Sequence, residues 1–167
     1  ELVKGFSATV MRGDKIALLM PNGYQTCRLF IGIMYGGFCV TPINLLAQPS
    51  QLAYVIEHCD TRIIFVSPDQ VERLNLALTQ VHREVEVIVV HPDCTEFIEE
   101  QREGSTTDES RYEVAEIDDA LMMYTSGTTG TPKGVLLSNR SVIAGGEYVS
   151  SAHQLGEDDR VMAVLPL

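Results

Sequence analysis

Short, unbroken apolar runs bounded by turn formers alternate along the chain with longer stretches whose apolar residues recur at helical spacing. "DKIALLMP", Asp14 to Pro21, has the pattern of a strand buried in a parallel sheet. After Asn22-Gly23, "YQTCRLFIGIMYGG" is apolar on most faces and closes on Gly36-Gly37, which predicts a helix packed deeply against a sheet. "FCVTPIN" predicts a short strand. "PSQLAYVIEHC" opens on proline and serine, as helix N-termini do, and sets Leu52, Val55 and Ile56 on one helical face. "TRIIFVS" reads as a strand, "PDQVERLNLALTQVHR" as an amphipathic helix and "VEVIVVHP" as another strand. Further on come the strands "ALMMYTS" and "GVLLS", a helix over "NRSVIAGGEYVSSAHQ", and a final apolar run, "VMAVLPL", expected to be a strand.

Strands separated by helices of this length imply right-handed βαβ crossovers, hence an α/β fold with a mainly parallel sheet and flanking helices. A composition 45% apolar over 167 residues furnishes a core for such a domain. Charge then divides the chain. The formal net charge is -11, yet Asp93 to Asp119 holds eleven acids against Arg102 and Arg111, leaving a net of only -2 elsewhere. We therefore expect an α/β subdomain over 1–92, a solvated acidic linker over 93–119, and the start of a second α/β subdomain over 120–167. Spread evenly, a charge of -11 would disfavour nucleic acid and anionic membrane; with most of it in one stretch, the acidity is a local feature, and no nucleic-acid partner is expected.

Four cysteines, Cys27, Cys39, Cys59 and Cys94, form no C-x-x-C pair, and the four histidines lie apart, so no metal site is expected. Buried free thiols in the reducing cytoplasm are the expectation for the cysteines, and surface or helix-end positions for His58, His82, His91 and His153. The longest apolar run, Leu29 to Val40, is too short and too glycine-broken to cross a bilayer. The chain opens on Glu1 and stops inside an apolar run, so it is expected to be a fragment of a longer protein.

One stretch carries chemistry: "YTSGTTGTPKGVLL", Tyr124 to Leu137. Gly127, Gly130 and Gly134 free the backbone for positive φ angles and close approach, while Thr125, Ser126, Thr128, Thr129 and Thr131 supply hydroxyl donors. Pro132 stiffens the approach to Lys133. Backbone N–H groups, rotatable hydroxyls and one ammonium together suit the oxygens of a polyphosphate. A Walker loop would need glycine where Pro132 stands and a hydroxyl where Gly134 stands, and would lead into a helix rather than the strand pattern "VLLS". Ser126 lies outside any G-x-S-x-G context, so a phosphate-binding hydroxyl explains it better than a nucleophile does. Met122, Met123 and Tyr124 fit a buried strand.

"TSGTTGTPKG" resembles the phosphate-binding signature of the adenylate-forming enzymes, the superfamily of acyl-CoA synthetases, luciferases and peptide-synthetase adenylation domains. "GDKIALLMPN", "GGFCVTPINLLAQPSQLAYVIEHCDTRIIFV" and "VMAVLPL" are similar to further family blocks in the same order, the second in the wording of fatty or aryl acyl-CoA ligases. The resemblance implies an ATP-dependent acid-thiol ligase that forms acyl-AMP and pyrophosphate and passes the acyl group to coenzyme A, with a fatty or aryl acid as substrate. It further implies that Thr125, Ser126, Gly127, Thr128, Thr129, Gly130, Thr131 and Lys133 cradle the ATP phosphates with Mg²⁺, and that Lys133 acts catalytically on the departing pyrophosphate. Where the family often has Ser-His-x-Asn, this chain has Ser138-Asn139-Arg140-Ser141. The adenine, ribose and metal motifs and the late catalytic lysine would lie beyond Leu167, so these residues alone are not expected to complete the reaction. A Walker-type NTPase and a non-catalytic interaction module are the alternatives.

Overall fold

The computed structural model of the protein describes residues 10–94, 113–125 and 132–162. Its first strand, β1 (Lys15–Leu19), has almost no polar surface to offer, so it must be covered on both faces. Because side chains alternate along a strand, Ile16 and Leu18 point into one apolar layer while Ala17 and Leu19 point into another. β2 (Cys39–Pro42) and β3 (Ile63–Val66) pair with it on either side, both parallel. β4 (Glu86–Val89) extends the sheet beyond β3, and β5 (Asp119–Thr125) extends it beyond β2, again in parallel. β6 (Lys133–Ser138) closes that side antiparallel to β5, giving the order β4-β3-β1-β2-β5-β6.

The handedness of the crossovers decides which helix covers which face. From β1 to β2 the chain steps one way across the sheet, and α1 (Tyr24–Tyr35) sets Leu29 and Ile33 against Ile16, Leu18, Val40 and Phe65. From β2 to β3 it steps back past β1, so right-handedness sends α2 (Pro49–His58) to the opposite face. There Leu52, Val55 and Ile56, the trio expected from their spacing, pack with α3 (Val71–Leu78) over Ala17, Leu19, Ile64 and Val66.

Local chemistry fixes the helix ends. Pro49 begins α2, and Gln48 and Gln51 form a reciprocal capping box. Gly37, at φ +79, takes the left-handed conformation that ends α1 and turns the chain into β2. At the other end of α1, the Gln25 backbone N–H donates to the Pro92 carbonyl over 2.7 Å, and the buried Gln25 side chain donates to the Cys94 carbonyl. Gly23 lies so close to this segment that a Cβ would sit 2.6 Å from the Pro92 oxygen.

Several sequence expectations change. The helix expected over 68–83 is a 3₁₀ turn at Pro68–Gln70 followed by α3, which ends at Leu78. Beyond it, the N–H groups of Gln80 and Val81 bond three residues back, and Arg83 is held by Glu57 and Asp60 of the α2 C-terminus, so the chain turns instead of winding on. Cys27 is exposed on α1, unlike the buried Cys39 and Cys59. Met123 is 44% exposed, because only the Met122 side of β5 is covered at that point.

Much of the acidic stretch, 95–112, lies outside the described residues, but its end is tied down. Asp118 accepts from Arg12 and from the Ala115 N–H, and these donors hold its carboxyl below the usual carboxylate range. The Arg12 guanidinium also donates to the Glu113 carbonyl, binding the approach to β5 to the chain just before β1. At the end of β6, Ser138 caps α4 (Asn139–His153) by accepting from the Ser141 N–H. The Asn139 amide donates to the Ala115 and Asp118 carbonyls, and Arg140 pairs with Glu116. Asn139 and Arg140 thus dock α4 onto this turn. Ile143, Tyr148 and Val149 of α4 are exposed, as are Val161 and Met162, which lie in no strand; 163–167 are outside the described residues.

Gly23→Ala forces a methyl group against backbone that cannot swing aside, and is expected to cost about 1–3 kcal/mol of stability, read as a lower urea midpoint. Burial pushes the Cys39 thiol up to about 12 and the Cys59 thiol up to about 11. Since the thiolate is the reactive form, alkylation followed by peptide mapping should label Cys27 well before either, and Cys39 and Cys59 only on unfolding. Rapid native labelling of Cys39 would contradict this packing.

Candidate functional site

The hydroxyl-rich stretch leaves the sheet from the C-terminal end of β5, the edge where ligands of open α/β sheets bind. Its two ends are fixed by the antiparallel ladder: Thr125 lies opposite Lys133, and Tyr124 opposite Gly134. Lys133 is exposed at the first position of β6. Ser126, Gly127, Thr128, Thr129, Gly130 and Thr131 lie outside the described residues. Of the expected phosphate-binding set, then, Thr125 and Lys133 are brought face to face. Gly134 does not take the positive φ expected for it, because it is paired within the ladder; Gly13 and Gly37 are the positive-φ glycines among the described residues.

On the α2 side of the sheet, an aromatic cluster supports this hairpin. Tyr124 Oη lies 2.7 Å from His58 Nδ1, the rings crossing at 80° with centroids 5.6 Å apart. Tyr54, one helical turn before His58, stacks on the imidazole at 5.4 Å. The backbone of β6 lies close above: a Cβ on Gly134 would sit 3.4 Å from Tyr124 Cζ and 3.5 Å from His58 Cε1. It would also displace the Met122 methyl, an easily moved group. Burial raises the Tyr124 pKa, and the negative charge of Asp60 adds to it, so the phenol stays protonated and serves as a hydrogen-bonding group. His58 does occupy a helix end as expected, but its partner lies 66 positions away, where sequence spacing gives no signal.

A separate open groove of about 440 Å³ lies at the opposite end of the strands, lined by Arg12, Gly13, Gly37, Ile117, Asp118 and Asp119. Its one guanidinium is already engaged by Asp118, and a second carboxylate stands beside it, so its charge does not suit a polyphosphate. The hairpin also decides against a Walker arrangement. A Walker lysine stands at the start of a helix whose N-terminus faces the phosphates, whereas Lys133 begins an antiparallel edge strand.

Residues 4–167 match the profile of the family described as AMP-binding enzyme. The chain is 45% identical over 157 residues to sulfoacetate–CoA ligase of Cupriavidus necator, covering 93% of this chain and 30% of that protein. It is 27% identical over 158 residues to a long-chain-fatty-acid–CoA ligase of Mycobacterium tuberculosis, covering 95% of this chain and 31% of the relative. Among solved structures, ATP-bound MatB from Rhodopseudomonas palustris superposes with a TM-score of 0.81 at 21% identity, over 99% of this chain and 33% of that one. The inhibitor-bound N-terminal domain of FACL13 from M. tuberculosis superposes with a TM-score of 0.80 at 24% identity, over 98% of this chain and 41% of that one. The chain thus spans about a third of the length of the curated relatives it matches. With the family profile running through β1 to β6 and the glycine- and hydroxyl-rich stretch between β5 and β6, the chain belongs to the AMP-binding enzyme family.

Proposed function

We propose that the protein to which these residues belong is an AMP-forming acid–thiol ligase. The observation that carries the reading is the pairing of Thr125 with Lys133 at the C-terminal end of a parallel strand, flanking the hydroxyl-rich stretch of an AMP-binding enzyme. In this reading a carboxylate oxygen of the substrate attacks the α-phosphorus of ATP. The bond to the bridging oxygen breaks, and pyrophosphate leaves with the electron pair. Lys133 supplies positive charge where that negative charge grows, while Thr125, Ser126, Thr128, Thr129 and Thr131 and the backbone at Gly127 and Gly130 donate to the β and γ phosphates. The acyl-AMP carbonyl then receives the sulfur of coenzyme A, and AMP departs.

Among the described residues no three His, Cys, Asp or Glu side chains come together, so none of them is assigned to Mg²⁺ and no step is routed through it. Residues 1–92 serve as scaffold, 93–119 as an acidic connection, and 120–167 as the start of the part that handles phosphate. A cytoplasmic setting is supported by free cysteines and by the absence of a membrane-length apolar helix among the described residues. The acid is a small-molecule carboxylate. Fatty and aryl acids fit the wording of the second sequence block, while sulfoacetate enters from the name of the 45% identical relative.

The test is carboxylate-dependent ATP–pyrophosphate exchange by the full-length protein, with a panel that includes sulfoacetate, benzoate and fatty acids of several lengths. At least one acid is expected to drive exchange, and Lys133→Ala to lower its rate by about 2–4 kcal/mol of transition-state stabilisation, some 30- to 1000-fold. Failure of every acid, or a Lys133→Ala variant as fast as the parent, would overturn the reading.

A further inference from the structure

We infer that His58 is a positioning residue for Lys133, acting through its hydrogen bond to Tyr124. The inference rests on the ligase reading above and adds to it a side chain from a distant helix. β6 is the last strand of the sheet among the described residues, and its first residue, Lys133, is held opposite Thr125 by the β5 ladder. The ladder sets the register of the hairpin, and the C-terminus of α2 supports its face through His58. Tyr124 directly precedes Thr125 and pairs with Gly134, which directly follows Lys133; the His58 imidazole holds Tyr124 by its 2.7 Å bond to Oη, and a Cβ on Gly134 would come within 3.5 Å of His58 Cε1.

The imidazole is itself constrained. Tyr54 stacks on it from the preceding turn of α2, and α2 is anchored in the core by Leu52, Val55 and Ile56. A line of contacts therefore runs from the core through α2 and the His58–Tyr124 bond to the Tyr124–Gly134 pair beside Thr125 and Lys133. Misplacing a charged group by a fraction of an ångström weakens its interaction with the transition state more than with bound ATP.

The experiment measures kcat and the KM for ATP in ATP–pyrophosphate exchange by the full-length protein. The variants are His58→Phe, Tyr124→Phe, the double variant, and His58→Asn, whose amide can stand where Nδ1 stood. Both single Phe variants are expected to lower kcat by about three- to tenfold, the worth of one hydrogen bond, with a smaller change in KM. The double variant should lose no more than either alone, and His58→Asn should recover most of the rate. In a Lys133→Ala background, Tyr124→Phe should have no further effect. Tyr124→Phe deletes a single oxygen, so it keeps the question open to measurement even where His58→Phe impairs folding. Unchanged kcat in Tyr124→Phe, additive losses in the double variant, or a full Tyr124→Phe effect without Lys133 overturns the positioning role while leaving the ligase reading standing. Absence of exchange by the parent protein with every acid overturns both.

Discussion

Covering β1 on both faces is the constraint from which the rest of this structure follows. A five-residue strand whose last four residues are all buried needs apolar layers above and below and hydrogen-bonded neighbours on both sides. Parallel neighbours require crossovers, crossovers bring helices, and right-handedness distributes those helices to opposite faces because β2 and β3 flank β1 on opposite sides. The same rule places α2 on the face where the Tyr124 side chain emerges. Had β3 added beyond β2, no helix end would stand beneath the β5–β6 hairpin.

The elements themselves were legible because each obeys a local rule. Leu52, Val55 and Ile56 mark the buried side of α2 at helical spacing, and the unbroken apolar runs of β1 and β3 mark strands buried on both faces. Boundaries were less so. α3 stops at Leu78 because Arg83 is drawn to Glu57 and Asp60, a contact between elements that periodicity does not contain. The order of strands was not legible beyond its being parallel. β5 lies beside β2 across the whole intervening chain, and nothing in "ALMMYTS" names its neighbour.

The candidate site divides in the same way. Its chemical character was written in one continuous stretch, since glycines, hydroxyls and a lysine in ten positions have few other uses. Its support was not. Tyr54 and His58 are four residues apart on α2, a helical spacing with many structural explanations, and only the fold shows that their rings meet Tyr124. The exposed apolar residues of α4 and β6 belong with this distinction: their spacing predicted elements correctly, but what covers them is not among the described residues.

The acidity of the chain raises an electrostatic question for a site proposed to receive ATP, and the sheet sets the described part of that acidity apart from it. The described end of the acidic stretch, with Glu113, Glu116 and Asp118, lies at the start of β5, whereas Thr125 and Lys133 meet at its other end. Seven residues rising ~3.3 Å each put about 20 Å between the two. That is about two screening lengths at physiological ionic strength. Two of those carboxylates are also countered locally, Asp118 by Arg12 and Glu116 by Arg140. Near the hairpin Lys133 stands opposite the neutral Thr125, and the formal net charge of the whole chain outside Asp93 to Asp119 is only -2. A single lysine among neutral donors can then dominate its surroundings, provided that its position is held.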